Sequence, residues 1–178
     1  AVADGFVAVG DAAGHVNPTT GGGIAGAAYA GKYAAEQAVR AIDAGDVSED
    51  ALWHYNERVM NHFGSRYAAL DVYNILSTAV DVDELMGLLA SLPGESLAEA
   101  LYEGSASVKP RLVLEVIKDS YGHWSQIWEF YKTKRAADDL MDHYGRYPSR
   151  PGAFEAWRTE RDRLMEQVYD VTGADPKY

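Results

Sequence analysis

The sequence predicts a mostly α-helical fold that opens on one β-strand and a glycine-rich loop. Three observations carry this. Phe6 to Val9 is the one short β-branched and aromatic run with strand character, and Gly10-Asp11 ends it. From Gly23 to about Ala44 the residues are mostly Ala, Gly, Tyr, Glu and Gln, and Gly45-Asp46 supplies a stop, so this reads as one long helix whose small side chains allow close packing. Beyond it, apolar residues recur at spacings of three and four, in Leu52, Tyr55, Val59, Phe63, Tyr67 and Leu70.

That second helix starts near Ser48 and is expected to run towards Thr78. Asp81-x-x-Glu84 and Ser96-x-x-Glu99 have the pattern of capping boxes, with Pro93-Gly94 and Pro110 as punctuation between them. Two further helices are expected, Leu112 to His143 with a break at Gly122, and Ala153 to Tyr169. Arg146 to Gly152 is a loop by composition. A lone strand leaves backbone N–H and C=O groups unpaired, so Phe6 to Val9 is expected to join a sheet supplied from elsewhere. On that reading the chain is the C-terminal portion of a longer protein.

Apolar residues make up 47% and charged residues 24% of 178 residues, which fits a globular domain and argues against disorder. With no cysteine, disulfides, thiolate metal sites and cysteine nucleophiles are all excluded. No run of about 18 apolar residues could span a bilayer, and no secretory signal is visible, so the expected location is cytoplasmic. A net charge of −11 argues against nucleic acid as a partner. Only six of the 16 basic residues are lysine, a balance suited to a halophile, where salt screens charge repulsion within about 3 Å at 1 M. A mildly acidic protein of ordinary salt is the alternative.

The stretch Val7 to Ile24 orders a strand end, an aspartate, and a loop punctuated by proline and glycine that opens onto a helix. Gly10 permits a close backbone approach. Asp11 stands at the carboxyl end of the strand, where ligands bind in open α/β sheets. Its carboxylate can accept hydrogen bonds from sugar-like hydroxyls, each worth about 1.5–3 kcal/mol. Pro18 stiffens the loop, and Gly21-Gly22-Gly23 leads into a helix N-terminus whose bare N–H groups and dipole favour an anionic group. The bland alternative is a flexible turn with Asp11 as a helix cap.

Gly10-Asp11-Ala12-Ala13-Gly14, followed by Pro18-x-x-Gly21-x-Gly23-Ile24, resembles the second flavin-binding motif of the FAD-dependent family that includes para-hydroxybenzoate hydroxylase. The form Gly-Asp-Ala-Ala-Gly-His-Val-Asn-Pro is similar to that of the geranylgeranyl reductases, in particular the archaeal digeranylgeranylglycerophospholipid reductases. The likeness is specific from Phe6 to about Gly31. It implies that residues 1–46 are the C-terminal strand, loop and helix of a Rossmann-type FAD-binding α/β domain, and that residues 47–178 form a helical C-terminal region. It also implies FAD as cofactor, with Asp11 on the ribityl chain and Gly21 to Ile24 at the pyrimidine edge of the ring system. The implied cofactor-binding set is Gly10, Asp11, Ala12, Pro18, Gly21, Gly22, Gly23 and Ile24. The Gly-x-Gly-x-x-Gly fingerprint for the ADP half would lie upstream, so the chain alone is expected to bind little FAD.

Carried to function, the resemblance implies a flavoprotein reductase that saturates isoprenoid C=C bonds of geranylgeranyl (archaeal ether) lipids by hydride transfer from reduced FAD. The implied partners are an isoprenoid lipid and an external electron donor, NADPH or ferredoxin, with peripheral membrane contact as an option. One alternative is an FAD-dependent monooxygenase or halogenase of the same fold; another is a non-catalytic helical interaction module. No catalytic side chain is singled out, because in flavin chemistry the cofactor performs the hard step.

Other features are weaker. Tyr121, Trp124, Trp128 and Tyr131 fall on one helix face and are expected to be covered, by the chain's own helices, a lipid chain or a bilayer interface. The five histidines do not cluster, so no metal site is expected. His15 lies in the motif loop, facing either a flavin or solvent. Trp53 and Trp157 stand too far apart in sequence to support any reading. Lys132-Thr-Lys134-Arg135 and Arg158 to Arg163 read as solvated or salt-bridged, mixed-charge helix faces, with a basic face meeting anionic phospholipid headgroups as the alternative.

Overall fold

The computed structural model describes residues 1–80 and 124–176. The expected capping boxes at Asp81 and Ser96, the punctuation at Pro93-Gly94 and Pro110, and the break at Gly122 lie outside the described residues.

The strand expected to be unpaired has a partner within the chain. Strand β1 (Val2–Ala3) pairs antiparallel with β2 (Phe6–Val7), with Val2 opposite Val7 and Ala3 opposite Phe6. Asp4-Gly5 forms the turn, and Gly5 can close it because its φ of 66° is left-handed. The ladder is extended by the Ala8 N–H, which donates to the Ala1 carbonyl at 2.8 Å. The regular strand is therefore two residues, not four. Among the described residues this hairpin is the whole sheet.

A 3-10 turn (Gly10–Ala13) follows, and then helix α1 (Ile24–Ala44), whose bounds match the sequence expectation and which ends at Gly45. Ser48 caps the next helix by accepting from the Ala51 N–H at 3.3 Å. The chain then stays helical through α2 (Glu49–Leu52), α3 (His54–Val59), a π-turn (Met60–Gly64) and α4 (Ser65–Ala79), with Trp53 itself in helical geometry. Leu52, Tyr55, Val59, Phe63 and Leu70 of the expected stripe are buried and Tyr67 is half-buried. Helix α5 (Trp124–Tyr144), a 3-10 turn (Pro151–Ala153) and α6 (Phe154–Thr172) complete the described fold.

Two apolar clusters organise these elements. Ala69, Val72, Ala137, Leu140, Leu164 and Val168 join α4, α5 and α6. Ala30, Tyr55, Val59 and Phe63, with Val2, Val7, Tyr33 and Ala34 against them, join α1 and the hairpin to α3 and the π-turn. Polar contacts reinforce the second cluster. The Gln37 amide donates to the Ala51 carbonyl at 2.6 Å, and the Tyr55 hydroxyl donates to the Ala8 carbonyl at 2.8 Å. Arg58 stands 4.0 Å over the Tyr33 ring and pairs with Glu36 at 2.7 Å.

Trp53 and Trp157, uninformative in sequence, prove to be the centre of an aromatic cluster. Trp53 stacks on Tyr147 with ring centres 5.8 Å apart, meets Phe154 edge-on, and donates its indole N–H to the Pro148 carbonyl at 2.7 Å. Trp157 stacks on His143 at 4.9 Å and on Phe154 at 5.7 Å, while the His143 Nε2 and the Trp157 carbonyl meet at 2.9 Å. The loop read from composition at Arg146 to Gly152 is thus pinned between two helical segments by four aromatic rings.

Candidate functional site

The structure brings the N-terminal motif together around the start of α1. Asp11 lies in the 3-10 turn, exposed, and its carboxylate faces Gly23: a Cβ at Gly23 would lie 3.0 Å from Asp11 Oδ1 and 3.5 Å from Val16 Cγ2. Gly23 is the N-cap of α1 and supplies no side-chain hydrogen bond to it. The first N–H groups of a helix have no partner inside it, so this end presents bare donors and the positive end of the dipole. Ile24, the first helical residue, is 90% exposed. A carboxylate and an uncapped helix end therefore meet at a glycine with no side chain between them.

The loop that delivers Gly23 is ordered by one residue the sequence reading passed over. The Asn17 Oδ1 accepts from the Thr19 N–H at 3.0 Å, the Thr19 hydroxyl at 2.9 Å and the Thr20 N–H at 3.2 Å. Its backbone closes the ring: the Asn17 N–H donates to the Gly22 carbonyl at 3.1 Å, and the Gly21 N–H donates to the Asn17 carbonyl at 2.9 Å. The Gly22 N–H donates to the Thr20 hydroxyl at 3.3 Å. The donors of Thr19 to Gly22 are thus engaged within the loop. Gly21 takes a left-handed φ of 68°, which a side chain would strain. The Asn-Pro pair, a turn initiator, was the available sequence signal for Asn17.

His15 is buried rather than facing solvent. Its Nδ1 accepts the Gly10 N–H at 3.1 Å, which places the ring proton on Nε2 when the ring is neutral. The ring meets Phe63 edge-on at 5.4 Å and Tyr55 at 6.5 Å, so it anchors the motif to the second helical segment. Burial lowers its pKa below the ordinary 6.5 and keeps it neutral. Burial likewise pushes the Tyr55 hydroxyl up to about 12. Gly26 lets α1 approach this anchor: a Cβ there would sit 2.5 Å from the His15 carbonyl oxygen. Gly10 is part of this contact through its N–H, and the other candidates lie around it. Gly10 is buried, Ala12 is exposed in the 3-10 turn, and Pro18 is half-buried in the Asn17 loop.

Elsewhere, Trp128 and Tyr131 of the expected aromatic face are exposed and stack at 5.6 Å, while the side chains of Tyr121 and Trp124 lie outside the described residues. A polar cavity of about 340 Å³ lies between α5 and α6, bounded by Asp142, His143, Arg146 and the Glu160–Arg163 pair. Among the described residues no group of His, Asp or Glu side chains could hold a metal ion, and no helix is long and apolar enough to cross a membrane.

No family model matches the chain. It is, however, similar to a set of curated proteins that carry one name. It is 25% identical to the digeranylgeranylglycerophospholipid reductase of Sulfolobus acidocaldarius over 166 residues, covering 92% of this chain and 37% of that protein. The reductase of the same name from Methanoculleus marisnigri is 36% identical over 118 residues, 66% of this chain and 27% of its own length. That of Methanococcoides burtonii reaches 48% identity over 67 residues, 38% of this chain and 16% of its own length. The chain spans about a third of the length of the first two. On these likenesses, the chain is similar to part of the digeranylgeranylglycerophospholipid reductases.

Proposed function

We propose that this chain supplies the flavin-proximal strand, loop and helix of an FAD-dependent reductase that saturates isoprenoid C=C bonds of geranylgeranyl ether lipids. The observation that carries the reading is the meeting of the Asp11 carboxylate with the uncapped N-terminus of α1 at Gly23. Asp11 accepts hydrogen bonds from the ribityl hydroxyls. Gly23 and Ile24 direct backbone N–H groups at the pyrimidine edge, where the helix dipole favours the negative charge of the reduced ring. Bound flavin would supply hydride transfer; the protein positions it. Asn17 keeps the loop in register, and Pro18, Gly21 and Gly22 shape it. Gly10 and Ala12 turn the chain so that Asp11 projects.

The proposal places residues 1–46 in the flavin domain and residues 47–178 in a helical region beside it. An open face on α1 supports this: Ile24, Val39 and Ile42 are 90%, 58% and 67% exposed, on one side with Ala28, Gly31 and Ala35. Small residues flanked by aliphatic ones suit close packing against a further element. In this reading the ADP half of the cofactor, the lipid and the electron donor, NADPH or ferredoxin, are held chiefly by the remainder of a longer polypeptide. The acidic, lysine-poor composition would suit a halophile's cytoplasm.

The test is a product assay on the complete polypeptide that carries this sequence, reduced without oxygen and given a geranylgeranyl lipid. Gain of two hydrogen atoms for each double bond lost is expected. Substrate-dependent oxygen consumption with a hydroxylated product would replace the reductase reading with a monooxygenase.

A further inference from the structure

His15 ties together the two halves of the site, through its backbone and its ring at once. The Gly10 N–H donates to His15 Nδ1 at 3.1 Å, and the His15 N–H donates to the Gly10 carbonyl at 3.1 Å. Gly10 is therefore gripped at both of its peptide groups, in the left-handed conformation (φ 64°) that turns the chain into Asp11. The Gly14 N–H closes the same turn by donating to the Asp11 carbonyl at 3.0 Å. On the other side the His15 carbonyl lies against Gly26, so the first turn of α1 rests on the same residue. The spacing between the Asp11 carboxylate and the N-terminus of α1 thus runs through His15.

We propose that His15 is a positioning residue for the flavin site that works only as a neutral imidazole, so that acid opens the turn carrying Asp11 and releases the cofactor. The reason is a count of lone pairs. A neutral ring with its proton on Nε2 offers Nδ1 as an acceptor, whereas an imidazolium carries N–H donors at both nitrogens and cannot accept from Gly10. The residue is 5% exposed, with its ring edge-on to Phe63 at 5.4 Å and tilted against Tyr55 at 6.5 Å. Protonation would set two donors face to face in this buried contact, and the grip on Gly10 would be lost.

Among the described residues, the groups facing the ring offer an imidazolium no anion. Tyr55, from α3, donates its hydroxyl to the Ala8 carbonyl; Phe63, from the π-turn, is apolar; α1 presents its backbone at Gly26. The Asp11 carboxylate is turned towards Gly23. Burial is the larger cause that holds the ring below the ordinary 6.5, and the positive amino group of Ala1 acts in the same direction. The grip is therefore complete above 6.5 and is lost as pH falls from there through the lowered value. Release of flavin rests on the flavin reading of the site; the grip on Gly10 does not, and the two can be measured apart.

The experiment is equilibrium dialysis of FAD against the complete polypeptide carrying this sequence, at pH 7.5 and 5.5. Hydrogen exchange at the Gly10 amide of the cofactor-free polypeptide is the second readout. FAD affinity is expected to fall about tenfold between the two values, and Gly10 protection, taken relative to the unstructured rate at each pH, to fall by about as much. His15→Asn keeps an acceptor oxygen where Nδ1 stands and does not titrate, so both readouts should stay level between the two pH values. His15→Phe keeps a ring against Phe63 without an acceptor, and should bind FAD about tenfold more weakly at both values with unchanged helical circular dichroism. Equal wild-type affinity at the two values, a wild-type loss that His15→Asn reproduces, or a His15→Phe protein that binds as the wild type does would overturn the proposal. A polypeptide that binds no FAD at either pH would overturn the flavin reading, and the Gly10 amide alone would then decide. Protection lost in the wild type and kept in His15→Asn retains the grip, and any other pattern overturns it.

Discussion

Two glycines on the same helix predict opposite responses to the same substitution. Gly26 and Gly31 both lie inside α1, where alanine is favoured over glycine by about 0.8–1.0 kcal/mol. At Gly31 an added Cβ meets nothing within 4 Å, so Gly31→Ala should stabilise the chain by about 0.4–1 kcal/mol. At Gly26 the same methyl would lie 2.5 Å from the His15 carbonyl oxygen, 3.4 Å from its carbon and 3.5 Å from its Cβ. That oxygen belongs to backbone held by the Gly10–His15 hydrogen bond and by the His15–Phe63 ring contact, so it cannot swing away as a long side chain would. Forcing an extra carbon into a filled contact costs about 1–3 kcal/mol, and up to about 1 kcal/mol is returned by helix propensity. Gly26→Ala is therefore expected to destabilise by about 1–2 kcal/mol, leaving a gap between the variants of about 2 kcal/mol. For a chain of this size such a gap corresponds to about 4–8 °C in Tm. Urea denaturation followed by circular dichroism measures both, with an unchanged slope as the control for two-state behaviour. A Gly26→Ala chain as stable as the wild type would refute the close approach of α1 to the motif loop.

Other expectations follow from the same contacts. Because burial lowers the His15 pKa, the folded chain resists protonation that the unfolded chain accepts. Its contribution to stability is full above the unfolded value of 6.5 and is lost as pH falls from there through the lowered folded value, a slope His15→Gln should remove. Urea midpoints at pH 7.5 and 5.5 that fall in parallel for both proteins would contradict this. Asn17→Ala removes the acceptor of three hydrogen bonds, so the Thr19 and Thr20 amides should exchange with solvent about tenfold faster, and Asn17→Asp should keep their protection. Trp157→Ala should cost about 3–5 kcal/mol and weaken the near-ultraviolet circular dichroism of the cluster it shares with His143, Tyr147 and Phe154. An unchanged denaturation midpoint would show that this cluster does not hold α6 in place.

The sequence disclosed the helices better than their connections. The stripe from Leu52 to Leu70 is a local, periodic signal, and its burial follows from helix geometry alone. The π-turn at Met60–Gly64 was hidden because one extra residue in a turn shifts the stripe only slightly. The Val2–Ala3 strand is too short to show alternation, and Asp4-Gly5 was its only marker. The aromatic cluster could not be read at all, since Trp53 meets Phe154 across about a hundred positions of sequence. Likewise the motif's residue types were legible, but not that Asn17 engages the loop's own donors, nor that His15 is the anchor beneath it. Those roles depend on Phe63 and Tyr55, which no local pattern links to the motif.

Flavin content tests the central claim most directly. The complete polypeptide carrying this sequence should purify yellow, with close to one FAD per chain. Gly23→Val, which places side-chain atoms where Asp11 Oδ1 now stands 3.0 Å from an ideal Cβ, should lose FAD while keeping its helical circular dichroism. A colourless wild-type protein that takes up no FAD on reconstitution, or a Gly23→Val protein that retains it in full, would contradict the account.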